Sequence, residues 1–115
     1  MKFTRTAEAL EDIDEALFWS ASNFGRAAAR RYRNPIATAI REIALDPELA
    51  GSRELRGIPG GIRLYHISLS RNRAAVDGLI VKRPRHFISY RLLDSETVEI
   101  VRVLHDSMDV DRHLP

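Results

Sequence analysis

The sequence predicts an α+β fold in which an amino-terminal helical hairpin packs on a small antiparallel β-sheet, and three observations predict it. Over the first 45 residues, apolar side chains recur at three- and four-residue spacing, the period of a helix. Beyond residue 61 this period gives way to short runs rich in β-branched and aromatic residues, which suit strands. Between the two, residues 48–61 hold Gly51, Gly57, Pro59, Gly60 and Gly61 and read as a connecting loop.

In chain order, residues 2–5 form a first short strand. Thr6 is a natural N-cap, and Glu8, Glu11, Asp12, Asp14 and Glu15 crowd the opening turns of a helix, where carboxylates complement the helix dipole. Leu10, Ile13, Leu17, Ala21 and Phe24 make one apolar stripe, the face expected to be buried. Gly25 ends this helix as a C-cap. The second helix runs from Arg26 to about Leu45, with Tyr32, Ile36, Ile40 and Ile43 inward and Arg30, Arg31 and Arg33 near the outer side. Pro35 removes a helical hydrogen bond, yet the stripe keeps phase across it, so one kinked helix is expected rather than a fresh one capped by Asn34. Asp46-Pro47 closes the hairpin.

Strands are expected over Ile62 to Leu69, His86 to Leu93 and Thr97 to Leu104, the last two joined by the turn Asp94-Ser95-Glu96. The connection from Arg71 to Arg85 is long for such a sheet, which marks it as mobile or functional. Met108 to Leu114 reads as a short terminal helix capped by Ser107. No repeat or low-complexity tract interrupts the chain, so residues 1–115 are expected to form a single domain.

A chain of 115 residues can bury a core of its own, and 44% hydrophobic with 30% charged residues is the balance of an ordinary globular protein. Cysteine is absent, which excludes disulfides and thiolate metal sites. Met1-Lys2-Phe3-Thr4-Arg5 leads straight into the acidic helix without an apolar signal region, and no apolar run nears the ~18 residues of a membrane span. A cytoplasmic protein with no membrane association is expected.

The net charge of +2 conceals segregation. From Arg53 to Arg91, nine basic residues face only Glu54 and Asp77; from Leu92 onward, Arg102 and Arg112 face six acids. The basic segment suits an acidic protein partner, a phosphate backbone or simple solvation. Of the 18 cationic side chains only Lys2 and Lys82 are lysine, and arginine's planar fork favours carboxylate and phosphate recognition.

Metal-independent RNA cleavage would need a base, an acid and a cation for the phosphorane charge. The candidates are His105 and Tyr90 for proton transfer, with Arg63, Arg91 and Arg102 for phosphate. Each also has a structural reading. His105 at a strand end can be packed, Tyr90 alternates with Ile88 and Leu92 and so points to the core, and Arg63 and Arg102 can pair with buried carboxylates. His66, His86, His105 and His113 show no ligand spacing, so neither a metal nor a cofactor is expected. Trp19 falls beside the first stripe and suits either core packing or a partner. Gly57-Ile58-Pro59-Gly60-Gly61 lacks the strand-before, helix-after setting of a phosphate loop.

Several segments resemble the ParE toxins of the ParE/RelE superfamily. They are Gly61-Ile62-Arg63, Arg85-His86-Phe87-Ile88-Ser89-Tyr90-Arg91, Val98-Glu99-Ile100-Val101-Arg102-Val103-Leu104-His105, and the tail Asp106-Ser107-Met108-Asp109 through Arg112-His113-Leu114. Residues 1–50 resemble the family by pattern. The long basic stretch from Ser70 to Pro84 departs from its compact members. The resemblance implies the toxin of a type II toxin–antitoxin system, of the kind that stabilises plasmids, neutralised in a hetero-oligomer by a ParD-like antitoxin. It implies poisoning of DNA gyrase by blockade, which requires no catalytic residue. RelE-type relatives instead cut mRNA on the ribosome without a metal, and a non-toxic antitoxin-binding module is a third reading; fold alone does not choose among them. For the antitoxin, the groove between hairpin and sheet is the expected seat, with Arg63, Arg83, Arg85 and Arg91 meeting its carboxylates.

Overall fold

The computed structural model describes residues 1–109 together with Arg112 and His113. Its elements are β1 (Lys2–Arg5), α1 (Ala7–Phe24), α2 (Arg26–Leu45), β2 (Arg53–Glu54), β3 (Arg63–His66), a 3-10 turn (Ile67–Ser70), β4 (His86–Leu92) and β5 (Thr97–His105). One five-stranded sheet has the order β1-β5-β4-β3-β2. Strands β2 to β5 pair antiparallel, while β1 lies parallel to β5. The sheet is therefore mixed, with the expected antiparallel set at its heart.

The hairpin forms where the caps place it. Thr6 Oγ1 accepts from the N–H of Ala9 and donates to the carbonyl of Val101, so the cap that starts α1 also ties it to β5. Gly25 serves both helices, donating to Ala21 O and accepting from Ala29 N, at φ 92° and ψ 170°. Helix α2 runs through Pro35 as one element and buries Tyr32, Ile36, Ile40 and Ile43 as its stripe requires.

Helix α1 departs from expectation. The face turned inward is Ala9, Asp12, Ala16 and Ser20, with Ile13 and Leu17 packed at its margin, while Leu10 and Phe24 remain exposed. Small side chains let the helix approach the sheet closely, and at its centre a carboxylate is buried because it is bonded. Asp12 accepts from Arg102 Nε at 2.7 Å and Nη2 at 2.9 Å, and from the backbone N–H of Val103 at 2.9 Å. The fixed polar contact outweighs the apolar period.

The reason lies in β5. Ser89 pairs with Arg102 but Tyr90 with Ile100, so Val101 is an extra residue in a β-bulge. The bulge shifts the alternation, and Val98, Ile100 and Val103 all reach the core beneath the helices, with Ile88 and Tyr90 of β4 beside them. Strand β1 pairs with β5 only as far as Ile100. Past that point α1 lies alongside, and Asp12 satisfies an N–H that would otherwise be an open sheet edge.

Two further expectations change. Strand β2 forms inside the anticipated loop, pairing Arg53 with Leu64 and Glu54 with Arg63. Strand β3 stops at His66, because His66 Nδ1 accepts from Ser68 N and caps a 3-10 turn over what was expected to remain strand. The expected terminal helix takes in Val110, Asp111 and Leu114, which lie outside the described residues. No helix among the described residues is long and apolar enough to cross a membrane.

Candidate functional site

The chain's one tryptophan organises the hairpin near its turn. Trp19 packs against Tyr32, His86, His105 and Phe24 with ring centroids 5.7, 5.5, 5.0 and 5.8 Å away. His86 and His105 are direct partners across β4 and β5. The Tyr32 hydroxyl and His86 Nδ1 share a hydrogen bond of 2.6 Å, and the same hydroxyl accepts from the N–H of Arg85 at 2.8 Å. Burial pushes the Tyr32 phenol up to about 12 and the His86 imidazole down to about 4, the neighbouring His105 adding to the second shift. Both groups are thus neutral near pH 7, and the His86 tautomer sets the direction of their hydrogen bond, the Nε2–H form leaving Nδ1 to accept.

Beside this cluster, Asp106 draws the turn after β5 onto β3 and β4. Its carboxylate meets Arg85 Nη2 at 2.8 Å and His66 Nε2 at 3.1 Å, while its N–H donates to Arg85 O at 2.7 Å. The Arg85 guanidinium foremost, then His66, holds the Asp106 carboxyl down at about 2. His66 and His105 end their strands in the same way, each Nδ1 lying 2.7 Å from the hydroxyl two residues on, Ser68 or Ser107, and accepting its N–H. Among the described residues no group of His, Asp and Glu side chains is arranged to hold a metal.

A cavity of about 700 Å³ opens between the hairpin turn and the segment 80–85. Its apolar floor is Trp19, Phe24, Tyr32 and Val81, and its cations are Arg31, Lys82, Arg83 and Arg85, with no carboxylate in the lining. Core side chains fill most of the space between hairpin and sheet, where the groove is expected, and leave along α1 and β5 a cavity of about 400 Å³ lined by Asp12, Trp19, Arg102 and His105; the cavity of about 700 Å³ lies between the hairpin and the long basic connection.

Residues 3–110 match the family model described as the ParE toxin of the type II toxin–antitoxin system, parDE, and so span every element of this fold. The chain belongs to the ParE toxin family. Among solved structures, a chain of the chromosomal ParDE system from P. aeruginosa is similar, with a TM-score of 0.58 and 15% identity. The alignment covers 91% of this chain and 95% of that one; at such identity it shows a shared fold. No curated protein matches this chain in sequence.

Within this ParE fold, the side chains that RNA chemistry would require are not brought together. Arg63, Tyr90 and Arg91 line a cavity of about 520 Å³ with Pro47 and Gly60, whereas Arg102 and His105 line one of about 400 Å³ with Asp12 and Trp19. Most are held by partners within the chain. Arg63 donates to Pro47 O at 3.1 Å and Ser52 Oγ at 2.8 Å, Tyr90 donates to Pro47 O at 2.5 Å, and Arg91 pairs with Glu99 across the sheet at 2.9 Å. Tyr90 is 1% exposed. The four arginines expected to meet a partner divide likewise: Arg83 and Arg85 line the hairpin cavity, Arg63 and Arg91 the second one.

Sequence reasoning missed the cluster of Tyr32, His86 and Asp106. Tyr32 and His86 are 54 residues apart, and His66 and Asp106 are 40 apart, so no local spacing announces either contact. The one available signal was a tyrosine on an inward helical stripe, whose hydroxyl must find a partner when buried.

Proposed function

We propose that this ParE family chain is an active toxin of the cytoplasm, held in a hetero-oligomer by a ParD-like antitoxin, and that once freed it arrests growth by blocking DNA gyrase. The observation that carries the reading is the family match over residues 3–110, which takes in the helical hairpin and the whole sheet. The geometry supports blockade over RNA cleavage. A general acid must reach its substrate, and Tyr90 is buried and bonded to Pro47, while Arg102 is engaged by Asp12.

The decisive experiment sets purified chain against two targets. With gyrase and relaxed plasmid, loss of supercoiling and accumulation of cleaved DNA are expected. With translating ribosomes, primer extension should find transcripts intact. Fragmented transcripts beside unimpaired supercoiling would replace this reading with the ribonuclease one, and harmless expression of folded chain would remove the toxin activity altogether.

A further inference from the structure

The hairpin cavity has an unusual combination of linings. Its floor is aromatic and aliphatic, and Phe24, 68% exposed at its lip, is a bulky apolar side chain that the fold leaves uncovered. Arg31, Lys82 and Arg83 stand around this floor, all exposed, and none of them has an ion pair among the described residues. Arg85 is different, since Asp106 already engages it. The wall that carries Val81, Lys82 and Arg83 belongs to the long basic connection, so the cavity exists because of that segment.

An occupant must therefore bring negative charge and an apolar group together. A nucleotide would do so, but its base edge needs hydrogen-bonding partners on the floor. Of the two hydroxyls in the lining, that of Tyr32 is already shared between His86 Nδ1 and the N–H of Arg85, which leaves Ser20 as the one hydroxyl for a base edge. An acidic peptide needs no such readout: one bulky side chain settles on the floor while carboxylates meet the cations around it. The cations also surround the floor, where flanking residues of a peptide would lie.

We propose that this cavity receives an acidic segment of the antitoxin, seating one large apolar side chain against Trp19, Phe24 and Val81 and placing carboxylates on Arg31, Lys82 and Arg83. The inference rests on the antitoxin reading above and adds to it a site that the basic connection builds. Variation in that connection would then govern which antitoxin the chain accepts.

The test uses the full chain and the ParD-like protein encoded beside it, with dissociation constants measured at low ionic strength. Two variants probe the cavity: R31E/K82E/R83E, and Phe24→Asp. A third, R30E/R33E/R56E, makes the same charge change on exposed residues outside the cavity lining. All side chains changed are exposed, and circular dichroism checks that each variant folds. The cavity variants should weaken binding by roughly tenfold or more, and the third should leave it unchanged. Equal loss in all three, or none, overturns the cavity as the seat while antitoxin recognition stands. No binding by the unaltered chain overturns the antitoxin reading, and this inference with it. ATP serves as the competing probe, followed by the emission of Trp19, the chain's one tryptophan. If micromolar ATP shifts that emission and displaces the antitoxin while adenosine does not, the cavity is a nucleotide site and the proposal fails.

Discussion

Replacing Asp12 by alanine tests the account of how α1 holds the edge of the sheet. The carboxylate is 7% exposed and accepts three hydrogen bonds, two from Arg102 and one from the N–H of Val103. Its loss leaves the Val103 donor unsatisfied, a cost of about 1–3 kcal/mol. It also strands the Arg102 guanidinium, whose side chain is 23% exposed and therefore still reaches some water. Breaking a buried pair by removing one partner costs about 3–5 kcal/mol, so with this partial relief the whole effect should fall near 3–4 kcal/mol. For a domain whose total stability is on the order of 5–15 kcal/mol, that lowers the melting temperature by roughly 10–16 °C. The assay is urea unfolding of D12A, R102M and the double variant, monitored by circular dichroism. The double variant should recover part of the loss, because no charge is then left unpaired. A cost for D12A below about 1 kcal/mol, or simple additivity in the cycle, would refute the reasoning. Asp14→Ala, exposed on the same helix, should change stability by less than about 0.5 kcal/mol.

Four other outcomes follow from single residues. His86 protonates at about 4 in the folded chain against an ordinary value near 6.5. The unfolded chain therefore binds the extra proton first, and its contribution to stability is present above pH 6.5 and lost as pH falls toward 4; urea midpoints across this range should decline, and His86→Gln should flatten that slope. Asp106, held at about 2 by Arg85, adds a second loss from about pH 4 downward that Asp106→Asn should abolish. Gly25→Ala meets no atom within 4 Å of the new methyl, so its cost is backbone strain at φ 92° alone, about 1–3 kcal/mol in thermal unfolding. Ser89 Oγ is buried without a partner among the described residues, so Ser89→Ala should hold stability or raise it by up to about 1 kcal/mol, and a clear fall in melting temperature would show that the hydroxyl has a bonded role.

The cavity and the proposed blockade fit one physical picture of a protein that acts by presenting a surface. Sheet and hairpin bury Tyr90 and engage Arg63, Arg91 and Arg102 with partners inside the chain, while the basic connection, outside the core, displays cations around exposed apolar side chains. A blocking protein needs that surface fixed in shape, and the bonds among Tyr32, His86, Arg85 and Asp106 tie the base of the connection to both helix and sheet.

What the sequence determined by itself is whatever local spacing encodes. The two helices, their caps at Thr6 and Gly25, the inward face of α2 and the antiparallel run of β3, β4 and β5 all follow from periods of 3.6 and 2 and from residues with strong backbone preferences. The segments resembling ParE gave the family for the same reason, being contiguous. Tertiary structure alone decided the rest. The extra residue at Val101 reverses which side chains of β5 face inward, and one residue's shift in a period-two element cannot be seen without its partner strand. The inward face of α1 was set by Asp12 finding Arg102 and Val103 some 90 positions away. The hairpin cavity likewise joins residues 19–32 to residues 80–85. Such contacts are chosen by the closure of the whole chain, because a buried charge or donor is tolerable only where its partner arrives, and the partner's position is a property of the fold.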